Sequence, residues 1–505
     1  MRISPALLAA LAVAAMPAGA RAAQRPVYVV PGASPAVLER FPDRAALGLL
    51  VPDAGPTTSE ARARGSLARG KVVNSLSGER ASGPRLLGFV VVRGILGRVE
   101  RGTILGIPQG AQQANDRRYP LMELGRRGVV TSTSTRVPGL VSIADLAHPE
   151  RLSLRREDDP VGYLRDLERR IRDNGRSRVV AAVAVAVVVA LLAFVAPVAG
   201  VLAFAAVAAM NLLLGVAGVS EPWMVVTLLL LAALVALPLA LLLRGPVAIG
   251  LALASVIAGY LVAMGVDATW VALSPLGPSQ NGRFYGVSNL LETMLLVPAL
   301  AAAALLFRRF GWAAFAGVAA LALVTVAGSR FGADGGGAIV LAAGYGVLGA
   351  MYAGGGRRAL VVAAGAAAAA VAVVALDAVF GPTTHVGEAV RDGPGEVLGD
   401  VGDRLVLSWR RATDNAFVGL VVAGSIAALV FLVVRGPRRA LPLAFAAAIA
   451  VSLLVNDSPR EVALGGLVGY LALLRFDDRQ AEPGVYTWRN PLKELSRNEA
   501  QGLRS

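Results

Sequence analysis

The residues best equipped for chemistry sit in four short polar stretches set between long apolar ones. Residues 274–289 carry Arg283, Tyr285 and Asn289, and residues 328–337 carry Arg330 and Asp334. Residues 381–415 carry His385 and the pair Arg410–Arg411, and residues 456–461 carry Asp457 and Arg460. Arginine offers a planar fork that grips phosphate or carboxylate at two points. The glycine run 335–337, just ahead of an apolar segment, lets backbone amides approach a phosphate closely. Asp334, His385 or Asp457 would orient or deprotonate a hydroxyl acceptor. Arg283 and Arg330 would hold a phosphate, with Tyr285, Asn289 and Arg460 as further substrate contacts. Each stretch also has a purely structural reading, as a tight turn or an Arg–Asp lock between helices. A lone loop histidine is ordinarily just hydrogen-bonded. Four such stretches on one face favour a site.

Composition removes several chemistries. The 505 residues contain no cysteine and only two histidines, His148 and His385. Thiolate catalysis, disulfides, iron–sulfur clusters and multi-histidine metal cages are excluded, and no cofactor or metal is expected. The net charge of +15 does not point to nucleic acid, because much of the arginine lies in short loops between apolar runs, where it sets topology. Lysine occurs at Lys71 and Lys493. That bias, with abundant alanine, fits a GC-rich bacterial coding sequence.

The elements that must position these residues are membrane helices. Apolar stretches predict eleven spans, at about 179–196, 201–218, 223–243, 247–264, 289–307, 312–327, 337–353, 359–380, 416–434, 440–455 and 461–475. Residues 1–22 have the form of a signal peptide, with Arg2, an apolar core and Ala20-Arg21-Ala22, or else of a retained anchor. In either case residues 23–150 form an exported domain. Arg244, Arg308–Arg309, Arg357–Arg358, Arg435, Arg438–Arg439 and a cytoplasmic tail from about 476 to 505 then fall on the inner side. All four polar stretches fall outside, as does Asp377, while Glu292 sits near an outer helix end. Residues 151–178 read as a helical stem, and its basic part, Arg169–Arg178, is the one exception to the charge rule.

The exported domain reads as α/β. Strands are expected at 27–30, 86–92, 103–107 and 129–131, and short helices at 59–70 and 120–127. Residues 27–32 (VYVVPG), 56–59 (PTTS) and 135–147 (TRVPGLVSIADLA) resemble segments of the alkaline-phosphatase-like superfamily over some 120 residues. That resemblance implies a shortened fold of this class, with a nucleophile position at Thr57 or Thr58 and two metals. Pro31 and Gly32 stand where a strand-end aspartate is expected, and residues 107–110 (IPQG) stand where an Asp-His pair is expected. The resemblance therefore implies a pseudoenzyme that binds or scaffolds. The layout is similar to bacterial polytopic membrane proteins carrying such a degenerate domain, and to membrane-attached phosphoethanolamine and phosphoglycerol transferases. Residues 282–289 and 328–330 resemble segments of O-antigen-ligase-type enzymes, which act on lipid-linked sugars at the outer face.

The fold expected is thus an α-helical polytopic membrane protein with an amino-terminal exported α/β domain. The leading functional expectation is envelope biogenesis at the bacterial plasma membrane. A phosphate-bearing lipid or polyprenyl-phosphate-linked glycan would be the ligand, and an envelope protein could bind residues 23–178. The alternatives are a transporter or flippase with Glu292, Asp334 and Asp377 relaying protons, or a non-enzymatic scaffold.

Overall fold

The computed structural model describes residues 26–41, 43–72, 75, 84–92, 101–278, 284–328, 330–413 and 415–481, apart from 381–405. The signal-peptide region, Arg283, His385 and the tail beyond 481 lie outside the described residues.

The amino-terminal domain is built on strands β1 (Val27–Pro31), β2 (Ala45–Val51), β3 (Thr57–Thr58), β4 (Val90–Val91), β5 (Gly102–Ile107), β6 (Gln113–Ala114), β7 (Tyr119–Leu124), β8 (Val129–Ser132), β9 (Leu140–Ser142) and β10 (Leu152–Arg155), with helix α1 (Glu60–Arg69) after β3. Eight strands form one mixed sheet in the order β10-β8-β2-β7-β5-β1-β4, with β9 also pairing β2, while β3 and β6 form a separate ribbon. β1 runs parallel to β5, and β7 runs antiparallel to both β5 and β2. α1 is bounded by local chemistry: Ser59 accepts from the Arg62 amide at its start, and Gly70, at φ 63°, takes the left-handed C-cap.

Two expectations here are corrected. Residues 120–127, expected as a short helix, are mostly strand β7, with a turn at Gly125. Leu121, Met122 and Glu123 have helix-forming side chains, but burial between β2 and β5 overrides that weak preference. The strand expected over 86–92 is ordered as one only at β4. Strand β2 went unrecognised, because its seven residues are all buried and show no alternation to read.

The rest is helical: α2 (Pro160–Val195), α3 (Pro197–Ala217), α4 (Pro222–Leu242), α5 (Pro246–Val266), the single turn α6 (Thr269–Ala272), α7 (Asn289–Ala327), α8 (Gly335–Tyr352), α9 (Gly356–Phe380), α10 (Ala416–Arg435), α11 (Ala440–Val455) and α12 (Pro459–Ala481). α2 to α5 each begin with proline, whose fixed φ suits the first helical position. Among the described residues, eight helices are long and apolar enough to cross a membrane; α11 is apolar but has 16 residues.

One of the eight is not a single rod. α7 has 39 residues, and a straight helix of that length would separate its ends by about 58 Å. Yet the Val287 amide donates to the Gly332 carbonyl at 3.0 Å, just beyond the two ends. The chain folds back at Gly311 (φ 69°, ψ −154°), a conformation that favours glycine. α7 is therefore a hairpin whose arms match the two apolar segments expected around Arg308–Arg309.

The segment expected as a stem is built into both halves. β10 takes residues 152–155 into the sheet, and α2 then runs unbroken into the bundle. Leu164, Leu167 and Ile171 of α2 are buried with Leu47, Leu49, Ile104 and Met122 of the sheet, and with Ala272, Leu273 and Phe284 from the chain between α5 and α7. Domain and bundle share one core there.

Candidate functional site

The polar residues at the domain end of the bundle are organised around the start of α7. Ser288 caps the helix by accepting from the Leu291 amide at 3.2 Å, and its hydroxyl donates to the Leu276 carbonyl at 2.6 Å. The Asn289 amide then donates to Asp457 Oδ1 and to Ser458 Oγ, both at 3.1 Å. Arg411 holds the other side of Asp457, 2.9 Å from Oδ2, and donates to the Asp457 carbonyl at 2.7 Å. Ser408 donates to the neighbouring Asn456 carbonyl at 2.7 Å. Asp457 is thus a two-sided anchor fixed between α7 and residues 406–413.

One turn deeper, Glu292 is only 2 % exposed. Asn456 Nδ2 donates to its Oε2 at 2.9 Å and to Ser452 Oγ at 2.8 Å. Asn456 Oδ1 lies flat against Gly336, where an added Cβ would come within 2.6 Å of it, and Asp334 Oδ1 would be 3.4 Å from the same Cβ. Glu292, Asn456 and Asp334 are therefore neighbours, with Asp334 also 2 % exposed. A buried carboxylate inside apolar helices is expensive, and Asn456 meets part of that cost with one hydrogen bond to Glu292, while Asp334 brings a second acidic group close by.

Beside this cluster a shallow apolar groove of about 80 Å³ runs between α2, the first arm of α7 and α12. Ala182, Ala186, Leu290, Met294, Leu464 and Val468 form much of its wall, and Arg178, Arg460 and Glu461 lie at its domain end. Val179 and Val183 on its lip are exposed, so it faces the outside of the bundle.

The chain leading into α7 is pinned from α2. Arg170 Nε donates to the Leu273 carbonyl at 3.1 Å, Asn174 to the same carbonyl at 2.8 Å, and Arg178 Nη1 to the Gly277 carbonyl at 2.8 Å. Spaced four residues apart, these three side chains share one helix face. From α3, Asn211 donates to Ser274 Oγ at 3.0 Å and accepts from the Leu276 amide at 2.9 Å.

Of the residues singled out in the sequence, Asn289, Asp334 and Asp457 are brought together, and Arg460 lies one turn beyond at the groove. Arg330 is exposed on the turn before α8. Tyr285, expected as a substrate contact, is instead buried toward the amino-terminal domain, with the Arg136 guanidinium 4.3 Å from its ring centre. Phe284 sits likewise under Arg118 at 5.7 Å. Arg283 and His385 lie outside the described residues, as does the Asp377 side chain. Asn456, Arg178 and Asn174 were missed. Asn456 adjoins Asp457, but its bond to Glu292 spans 164 residues and leaves no local pattern to read.

The amino-terminal domain holds a smaller polar knot. Asp53, fully buried just beyond β2, accepts from Thr58 Oγ1 at 3.0 Å and faces Arg62 at 3.5 Å. Burial pushes its carboxyl up to about 7, against the opposing pull of Thr58 and Arg62. Thr58 itself is 1 % exposed. Among the described residues, no three His, Asp or Glu side chains lie close enough to hold a metal ion.

Comparison with known proteins adds no family. No family model, curated protein or solved structure matches this chain.

Proposed function

We propose that this protein works in the bacterial plasma membrane on cell-envelope material, binding a phosphate-bearing lipid-linked glycan or phospholipid at its outer face and transferring or handing on that group. The reading rests on one observation: the Asn289–Asp457–Arg411 anchor, Arg460 and an outward-facing apolar groove adjoin one another at the end of the bundle that carries the amino-terminal domain. A lipid substrate needs that combination, with a dry path for its chain beside polar groups for its head. In this reading there are eleven spans, with the amino-terminal domain outside and the carboxyl terminus inside, as the arginine-rich turns require. Asp457, Asp334 and His385 orient or deprotonate the acceptor. Arg283, Arg330 and Arg460 meet phosphate, and Asn289 sets Asp457. The amino-terminal domain, a degenerate alkaline-phosphatase-like module, grips the glycan or an envelope partner.

The test is turnover of a labelled polyprenyl-phosphate-linked glycan by purified protein in liposomes. Turnover that falls at least about tenfold in Asp457→Asn supports the reading; no turnover of any lipid-linked donor removes the transfer half of it.

A second reading is favoured by Glu292, an ionisable side chain buried in the bundle, which suits a proton-coupled transporter or flippase. Gradient-dependent lipid flux without turnover, abolished in Glu292→Gln, would select it.

A further inference from the structure

We infer that the groove between α2 and α12 is a binding site for a membrane lipid bearing a phosphate, with its chain along the groove and its phosphate on Arg178 and Arg460. This deepens the reading above and depends on its claim that the ligand is a phosphate-bearing lipid.

The groove supplies the chain site. Its walls are aliphatic along several turns of α2 and α12, and its lip is open to the side, through Val179 and Val183. An apolar channel on the outer surface of a helical bundle is where a lipid tail replaces solvent at least cost.

The head site is set by three side chains at the domain end. Arg178 is nine-tenths buried, with its side chain 10 % exposed. Its Nη1 is satisfied by the Gly277 carbonyl, but its Nε is buried without a hydrogen-bond partner. Glu461 Oε1 stands 3.6 Å from that Nε and 3.9 Å from Arg460 Nη2, outside hydrogen-bond distance of both. One carboxylate is thus shared between two guanidiniums and fully engages neither. Buried donors in native proteins are nearly always paired, and a phosphate oxygen is the acceptor that two arginine forks suit best. The three charges sum to one positive charge in excess, which complements a phosphate. The first turn of α12, which carries Arg460 and Glu461, adds the positive end of a helix.

Arg178 also explains the position of the site. The side chain that would touch the phosphate is the last of the three that pin the chain before α7, so the lipid head would lie against the segment leading to Asn289 and Asp457.

The experiment uses the full-length protein purified in detergent. It is titrated with a polyprenyl phosphate, with phosphatidic acid, with phosphatidylglycerol and with uncharged diacylglycerol, and read by native mass spectrometry. Saturable binding of a phosphate lipid is expected. It should weaken about tenfold in Arg460→Gln, the loss of one charge-assisted contact, and tighten in Glu461→Gln, which removes the competing carboxylate. Ala186→Trp fills the groove without touching a charge and should abolish binding while the melting temperature stays near that of the wild type. Binding of polyprenyl phosphate alone assigns an isoprenoid monoester, and equal binding of the diacyl phosphates assigns a common phospholipid. Diacylglycerol binding as tight as any phosphate lipid overturns the head site. Unchanged binding in both Arg460→Gln and Ala186→Trp overturns the whole inference. The functional reading fails separately: binding that follows this pattern with no glycan turnover leaves the site and removes the transfer. Turnover retained alongside unchanged binding in both Arg460→Gln and Ala186→Trp removes the groove site and leaves the transfer.

Discussion

The two ends of the helical bundle treat charge in opposite ways. At the domain end, Glu292, Asp334 and Arg178 are buried, and a neutral group meets two of them: the Asn456 amide bonds Glu292 and the Gly277 carbonyl bonds Arg178. At the far end, Arg308 pairs with Asp477 at 3.6 Å and Arg439 with Asp478 at 2.9 Å, with the arginines roughly a third exposed. Packing there is aromatic: Phe307 stacks on Tyr352 at 4.6 Å and meets Trp312 and Phe315 edge-on. Of these ion pairs, Arg439–Asp478 is the more exposed, and a pair so placed can be exchanged for other surface residues at little cost. Charges buried among dipoles cannot, and residues retained at that cost are where function is to be sought.

The contrast extends to the amino-terminal domain, where it should be largest. The Asp53 carboxyl is raised to about 7 in the fold from an ordinary value of 3.8. The folded chain therefore holds a proton that the unfolded chain has released. The associated stability is full below about pH 4 and declines as pH rises to about 7, by as much as ~4 kcal/mol. Asp53→Asn should flatten that decline, as read by hydrogen exchange of the β2 amides across this window. An unchanged pH slope would show that Asp53 is solvated in a way its burial does not suggest.

Next comes Asn456→Ala, which takes one hydrogen bond from the Glu292 carboxylate and should cost about 2–3 kcal/mol of thermal stability in detergent. A loss under about 0.5 kcal/mol would place Glu292 in water and erase the distinction between the ends. Arg136→Ala removes a guanidinium from the Tyr285 ring and should cost about 1 kcal/mol. It should loosen the domain from the bundle, visible as faster proteolysis within residues 278–288. The smallest effect belongs to the far end: Arg439→Gln should shift stability by at most about 0.5–1 kcal/mol, and a larger loss would mean that this pair is structural after all.

Much of this architecture was legible in the sequence, for reasons that differ by region. The bundle announces itself because a bilayer demands long apolar runs, and even the α7 hairpin was readable from Arg308–Arg309 interrupting one. In the sheet domain, β2 and β7 were not readable, because strands buried on both faces lose the alternation that marks a strand. At the candidate site, Asp457, Asn289 and Asp334 were found as polar residues near helix ends. Asn456 escaped notice because its importance lies in whom it touches. Tyr285 meets Arg136 of the sheet domain, and an aromatic beside an arginine-bearing loop looks the same in the sequence whether it meets a ligand or another domain. The basic segment ahead of the first span looked like an exception to the charge rule. Arg170, Asn174 and Arg178 show where that polarity is spent, on the carbonyls of Gly215, Leu273 and Gly277.

The unbroken course of α2 has a mechanical consequence. Leu164 is embedded in the sheet domain's core and Arg178 stands at the head of the groove, about 21 Å apart along one stiff helix. Were the domain to tilt by some 10°, the lever would carry Arg178 roughly 4 Å, more than the length of a hydrogen bond. Whatever pulls on the sheet domain from outside is thereby geared directly to the mouth of the groove, with no hinge between them to absorb the stroke.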